Sequence, residues 1–276
     1  MPEILRWRSK NASFEGSKVV VRPTLSLITA TYNAAATVGD TLASVAVQGI
    51  ELEHLIIDGA SRDATLKTVA QFPHIAKVIS EPDRGIYDAM NKGIAHATGE
   101  VVGILNADDL YAGPDILSKV LEVFKNPQVE ACYGDLLYVK ESTGEGGRPR
   151  FDIQRYWRSG SFAPKRFYWG WMPPHPTFFV RRRLYEQFGG FNLELGSAAD
   201  YELMLRFLLK HEVKAAYLNE VLVKMRLGGI SNASLRNRLV ANRMDLKAWT
   251  VNGLKPHLWT LALKPIRKIP QYWLRP

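Results

Sequence analysis

Four times in the first 125 or so residues, a short continuous apolar run gives way to a polar turn and then to apolar residues at helical spacing. The runs are "TLSLITATY" (24–32), "EHLIIDGAS" (53–61), "AKVIS" (76–80) and "EVVGILNADD" (100–109). They are rich in β-branched and aliphatic side chains and lack polar alternation, so they predict strands covered on both faces. The stretches that follow, "ATVGDTLASVAVQ", "DATLKTVAQF", "IYDAMNKGIAHA" and "GPDILSKVLEVF", predict amphipathic helices, the last with Pro114 at a helix start. Alternating strands and helices predict an α/β fold, a mainly parallel sheet with helices on both faces.

The alternation stops after "EACYGDLLYV". The polar, glycine-rich "ESTGEGGRPR" reads as a surface loop or hairpin, and it precedes "FYWGWMPPHPTFFVRRR" and a helix, "DYELMLRFLLK". The "RRR" at 181–183 reads as a surface helix start. A last apolar run, "NEVLVKMRLGG", ends at Gly229, where a soft boundary separates a body from a tail, 230–276.

Charge sharpens that boundary. The formal charge is +9, and residues 231–276 hold nine Lys or Arg against one acid, Asp245, so eight of the nine net charges lie in the tail. An anionic partner is expected for the tail alone. The one cysteine, Cys132, excludes an internal disulfide, and "MPEILRWRSK" lacks a signal-peptide core, which makes a reducing, cytoplasmic setting the expectation. No apolar run approaches the roughly 18 residues that span a bilayer.

Ligands of open α/β sheets bind at the carboxyl ends of the strands. There stand Tyr32 and Asn33, Asp58 and Asp63, Asp83 and Arg84, then Asp108 and Asp109. A lone strand-end Asp is most often a cap or turn former; four such ends in succession point to a site. No GxxxxGK[ST] and no GxGxxG follows a strand, so a nucleotide diphosphate must be held otherwise. Adjacent Asp108 and Asp109 suit a hard cation, Mg2+ or Mn2+, which takes one or two carboxylates and completes its shell with substrate phosphate and water.

The segments "LSLITATYNAAATVGDTLASV", "IIDGASRDAT", "EPDRGIYDAMNKGIAHATGEVVGILNADD" and "GGFN…AADYELMLR" resemble the family 2 glycosyltransferases of the GT-A fold, particularly bacterial enzymes that build surface polysaccharides. The resemblance spans roughly 24–229. It implies a catalytic body, 1–229, with a nucleotide-binding part at about 24–125 and an acceptor part at about 126–229. It implies that Thr29, Thr31, Tyr32, Asn33, Asp58 and Asp83 line the nucleotide pocket and that "NADD" is the metal motif. Asn106 stands where many relatives have an acid, which moves metal contact to Asp109, with Asp108 toward the ribose or the metal's water shell. It also implies a nucleotide-sugar donor, by family habit UDP-linked, and an inverting displacement with Asp200 as base, like a hexosyltransferase.

Further candidates for the acceptor or diphosphate are His175, Trp171 and Arg226, with Trp169 and Lys224 behind them; core packing or a solvated face is the competing role of each. Two rival functions remain. A nucleotidyltransferase making nucleotide sugars needs a Gly-rich basic phosphate loop, which "TATYNAAAT" does not supply. A nucleic-acid-binding protein would suit the sequence pI of about 9.6, but strand-end carboxylates repel phosphates, so no nucleic acid is expected. The tail's Lys and Arg among Trp249, Trp259, Tyr272 and Trp273 suit an anionic membrane surface, where a polyprenyl-linked saccharide acceptor would be found. Packing of 234–251 on the body as an ordinary helix is the alternative.

Overall fold

The computed structural model describes residues 24–143, 149–227 and 235–276. Its centre is a nine-stranded sheet in the order β3-β2-β1-β4-β8-β6-β9-β5, with β7 hydrogen-bonded to β6 beside that path. The first four strands, β1 (Leu25–Thr31), β2 (Glu53–Asp58), β3 (Ile75–Ser80) and β4 (Val101–Ile104), are the four expected apolar runs and pair in parallel. Every residue of β1 is buried, as a central strand with helices on both faces must be.

The helices between them are α1 (Val38–Ala46), α2 (Thr65–Val69), α3 (Ile86–His96) and α4 (Ile116–Phe124). α3 lies close on β1 because Gly93 has no side chain: a Cβ there would be 2.5 Å from Cγ2 of Ile28.

Beyond β4 the sheet is mixed. The short β5 (Leu110–Tyr111) pairs antiparallel with β9 (Ala215–Arg226), which runs parallel to β6 (Ala131–Thr143). β6 turns back antiparallel as β7 (Pro149–Trp157), so the glycine-rich segment joins a hairpin, with 144–148 outside the described residues. β8 (Phe179–Arg181) joins β4 to β6. Arg181 is not on the surface as expected: it is 5 % exposed and donates to the carbonyls of Val129 and Phe124 and to Glu100.

One irregularity matters later. Tyr138 of β6 faces Arg155 but Val139 faces Ile153, so Gln154 is an extra residue in β7. The bulge exchanges the faces: Phe151, Ile153 and Tyr156 share one apolar cluster, while Trp157 packs with Tyr138 in another.

α5 (Arg182–Phe188) and α6 (Ala199–Met204), which continues as a π turn over Leu205–Lys210, cover the end of the sheet. The tail packs on them. In α7 (Leu235–Val251) Trp249 is fully buried, its indole N–H donating to Tyr201 Oη at 3.0 Å, and Asn252 donates to Glu202 Oε1 at 3.0 Å. α8 (Thr260–Ile266) then crosses the 3-10 turn Pro164–Trp169, and a last turn, Ile269–Tyr272, reaches β7. From residue 242 on, the helix expected at 234–251 therefore takes the packed alternative, with Ser234 outside the described residues, and no described helix is long and apolar enough to cross a membrane.

Candidate active site

The loops after β1 and β2 form one knot. Thr31 Oγ1 donates to Asp58 Oδ1 at 3.0 Å, Ser61 donates to both Asp58 oxygens through its hydroxyl and backbone N–H, and Ser80 Oγ donates to Oδ2 at 2.7 Å. Burial alone would raise the Asp58 carboxyl, yet the hydroxyls of Ser61 and Ser80 with the Ser61 N–H and Thr31 hold it below the usual carboxylate range. Asp58 is 0 % exposed with all four acceptor positions used. It shapes the pocket rather than lining it, contrary to expectation. Thr29 needs the same correction: it is fully buried and its hydroxyl meets Nε2 of His54 at 3.0 Å.

The pocket wall lies one step outward. Tyr32 is 65 % exposed, and Asn33, at φ 48°, donates its backbone N–H to Ser61 Oγ at 2.8 Å and accepts at its side-chain oxygen from the Arg62 N–H at 2.9 Å. Asp83, half-buried, accepts from the Gly85 N–H at 2.8 Å. Gly59 lets these pieces meet, since a Cβ there would sit 2.5 Å from Asp83 Oδ2 and 3.3 Å from Cδ2 of Tyr32. A flat exposed ring beside a carboxylate offers a stacking surface and an acceptor for the N–H and hydroxyl groups of a nucleoside.

The metal motif is arranged differently from the expectation. Asp109 is 0 % exposed, and its Oδ2 accepts from Asn106 Nδ2 at 2.9 Å. An ion must touch the oxygen that binds it, so a carboxylate without open surface is the poorer direct ligand. Asp108, half-buried, is the open member of the pair. Burial, opposed by Arg226, raises the Asp108 carboxyl; burial and then the neighbouring Asp108 raise Asp109 well above its ordinary value. Oδ1 of Asn106 and Oδ1 of Asp109 are buried without any hydrogen-bond partner. This all-oxygen set, with two buried oxygens lacking hydrogen-bond partners, fits a hard divalent cation. Among the described residues no group of three or more His, Cys, Asp or Glu could hold an ion unaided, so substrate oxygens would have to complete the shell.

Arg226 is committed elsewhere. It ion-pairs with Asp40 at 2.5 Å and Glu141 at 3.0 Å and donates to the carbonyl of Asp108 at 3.2 Å. It braces the motif and does not reach into the cleft. Lys224 pairs across from Leu110 and lines a separate cavity of about 330 Å³ with Lys119 and Glu220. Trp171 is 3 % exposed, donates to the Ser159 carbonyl at 2.8 Å and packs on Tyr133 and Phe167, which makes it core. Trp169 is 54 % exposed but stands 5.9 Å from the Trp259 ring.

Asp200 is placed by the segment before it. Asn91 of α3 clasps Phe191 through both its amide groups, at 2.9 and 2.8 Å, and Asn192 accepts from the Glu194 N–H. α6 thus starts against α3, with Asp200 half-buried in its first turn and accepting from the Tyr201 N–H at 2.7 Å. The phenol of Tyr87 is a hydrogen-bonding neighbour of Asp200; burial first and that charge second raise its pKa. His175, 8 % exposed, packs edge-on against Phe191; burial lowers its pKa against the opposing pull of Asp200.

Two residues absent from the sequence reading complete the cleft. Tyr138 feels both carboxylate centres: burial, then Asp109 and Asp200, raise its pKa against the opposing charge of Arg155. The Arg155 guanidinium lies 3.7 Å from the Tyr138 ring centre, with Trp157 and Tyr272 each at 5.8 Å, and is only 9 % exposed. Rings rather than carboxylates hold this cation. The signal was present as an arginine directly before Tyr156 and Trp157, but the bulge at Gln154 decides which face it takes.

A parallel β1–β4 half with an exposed ring beside a carboxylate, and a carboxylate pair at the next strand end, suit a fold of the GT-A type. The family model Glycosyl transferase family 2 matches residues 26–189, and the chain belongs to that family. An uncharacterized glycosyltransferase of Mycobacterium tuberculosis is 34% identical over 193 residues, 68% of this chain and 70% of the relative. Among solved structures, S. aureus TarS 1-349 in complex with UDP-GlcNAc superposes with a TM-score of 0.63 at 18% identity, over 90% of this chain and 73% of that one. A mannosyltransferase of Pyrobaculum calidifontis in complex with GDP-Man and Mn2+ gives 0.56 at 18% identity, over 94% and 84%. These two show the fold, and the chain is a glycosyltransferase.

Proposed function

We propose that this enzyme moves a sugar from a nucleotide diphosphate, most simply UDP, to a saccharide hydroxyl with inversion, in cell-surface polysaccharide synthesis. The observation that carries the reading is one arrangement: half-buried Asp108 beside buried Asp109 at one strand end, with the exposed Tyr32 ring and Asp83 meeting across Gly59 at the neighbouring strand ends. In this reading 24–125 binds the nucleotide, 126–229 takes the acceptor, and the basic tail belongs to membrane attachment.

Tyr32 stacks on the base and Asp83 accepts from the ribose or base. Asp108 is the direct ligand of a Mg2+ or Mn2+ ion, and Asp109 with Asn106 backs it. That ion, when bound, offsets charge developing on the leaving diphosphate. Arg155 adds a fixed positive charge on the same side. Asp200 takes the proton of the acceptor hydroxyl as it attacks the anomeric carbon. Tyr87 and neutral His175 orient that carboxylate, and the Asn91–Phe191 clasp sets its distance from the nucleotide half. The acceptor is a saccharide on a polyprenyl diphosphate, at the inner face of the cell membrane.

Thermal-shift measurements with UDP-, GDP- and dTDP-sugars, with and without Mn2+, test the reading. A ligand at 100 times its dissociation constant adds about 2.7 kcal/mol of stability, and the expected result is a metal-dependent upward shift with the UDP-sugars. Equal shifts without metal, or none with any nucleotide sugar, would overturn it.

A further inference from the structure

Beyond α7 the tail leaves most of its large apolar side chains uncovered. Leu258 is 100 % exposed, Trp273 75 %, and Trp259, Ile266, Ile269 and Tyr272 are each between 45 and 55 %. These side chains hang from a firmly packed base. Thr260 Oγ1 donates to the Tyr168 carbonyl at 2.7 Å, and α8 passes Gly170 so closely that a Cβ there would stand 2.6 Å from the Lys264 nitrogen. α8 and the 3-10 turn Pro164–Trp169 thereby form one platform, with Trp169 and Trp259 in ring contact upon it.

The same platform gathers guanidinium groups. Arg166, on the turn, and Arg267, just after α8, are close enough that burial first and the Arg166 charge second lower the Arg267 pKa. Arg166 Nη1 donates to the Ser161 carbonyl at 2.5 Å and its guanidinium lies 5.3 Å from the Trp171 ring, neither of which neutralises it. Arg158 and Arg166 line an open cavity of about 520 Å³ with Ser161, Tyr217 and Asn219. No residue assigned to the donor or to the transfer lines that cavity. Like charges held together beside an open space favour an oxyanion, and the planar fork of arginine matches phosphate oxygens in pairs.

We propose that this cavity is a phosphate site for membrane lipid headgroups: Arg158 and Arg166, with Arg267 beside them, hold the headgroup phosphate while Trp169 and Trp259 sit at headgroup level next to it. Amphipathic rings favour that depth, and the tail's excess positive charge complements an anionic leaflet. The proposal rests on the membrane attachment given above and adds a specific address to it. A diffuse positive field would make the exposed cations equivalent; a built site makes Arg158, Arg166 and Arg267 unequal to the rest.

The test compares two variants of equal charge loss in the full chain, Arg158→Ala with Arg166→Ala, and Lys255→Ala with Arg275→Ala. Sedimentation with vesicles of phosphatidylcholine alone, or mixed with phosphatidylglycerol, is read beside calorimetric titration with glycerol 3-phosphate. Each cation near an anionic leaflet changes binding by about fivefold, so a diffuse field predicts the same loss for both pairs. The site predicts a loss at least about tenfold larger for the cavity pair, together with loss of saturable glycerol phosphate binding. Because Arg166 packs on Trp171, the exposed Arg158→Glu serves as a second variant whose melting temperature should not change. Equal losses overturn the proposal. Glycerol phosphate binding that needs Arg158 while vesicle binding does not would assign the cavity to a soluble phosphate and overturn the lipid assignment. If the wild type binds no vesicles, membrane attachment itself fails, and the titration alone then retains or removes the phosphate site.

Discussion

Asp58 and Asp109 are the same residue type at the same depth, each 0 % exposed near the end of a strand of one sheet, and they have opposite electrostatics. Asp58 is answered by four donors from Thr31, Ser61 and Ser80, and its carboxyl is lowered despite burial. Asp109 has the Asn106 amide on one oxygen, a second oxygen with no hydrogen-bond partner, and a like charge beside it that Arg226 only partly opposes. Burial therefore does not decide the state of a carboxylate; the partners do. The end proposed for the nucleotide is complete as folded. The end proposed for the metal sets two adjacent carboxylates against the one opposing charge of Arg226, and the components of the proposed reaction would bring more.

If the second end is the reacting one, the largest effect should come from Asp200, the proposed base. Asp200→Asn should lower turnover by roughly 10² to 10⁴ with donor affinity retained, read as kcat against a separately measured dissociation constant. Collapse of donor affinity at unchanged saturating turnover would move Asp200 to the complete end. Next is Asp108→Ala, for which a loss on the order of 10² to 10³ is expected, with metal-dependent nucleotide binding abolished in calorimetry and the melting temperature preserved. Full wild-type activity in EDTA would break the comparison at its root.

The remaining two substitutions should have opposite signs. Asp58→Ala strands the Thr31 and Ser80 hydroxyls and the Ser61 N–H, and should cost about 1–3 kcal/mol in denaturant unfolding. Asp109→Asn keeps a partner for Asn106 and removes the uncompensated charge. Its wild-type carboxyl is raised in the folded state above the ordinary 3.8, so the folded chain holds a proton that the unfolded chain releases. Any stability from that proton is complete below 3.8 and is lost as pH rises through the higher folded value. The metal-free Asn variant should therefore melt above the wild type at pH 8, by about 2–4 °C for each kcal/mol relieved, and level with it near pH 3. A lower melting point at pH 8 would place a compensating cation within the chain itself.

The α/β architecture, the four parallel strands and the collection of polar residues at their ends were legible because continuous apolar runs encode a doubly covered sheet. Which of two adjacent carboxylates faces solvent was not legible. Side-chain direction at a strand end depends on the turn that follows, and Asn106 captures Asp109 inward. Arg226 and Trp171 failed as site residues for a different reason: their residue types suit diphosphate and sugar, but long-range partners, Asp40 and Glu141 for one and Ser159 for the other, already engage them. Asp200 was placed from a resemblance, and the clasp that positions it joins residues 100 positions apart, a separation no local pattern contains.

The extra residue in β7 gives strand parity a reserve. Because Tyr138 faces Arg155 and Val139 faces Ile153 on either side of Gln154, loss of that one codon would join the two halves of β7 in regular alternation and leave Arg155 over Tyr138. Gln154 is thus a spare position: the hairpin can lose it without turning a side chain to the other face, whereas the same loss from a strand without a bulge would reverse every residue beyond it.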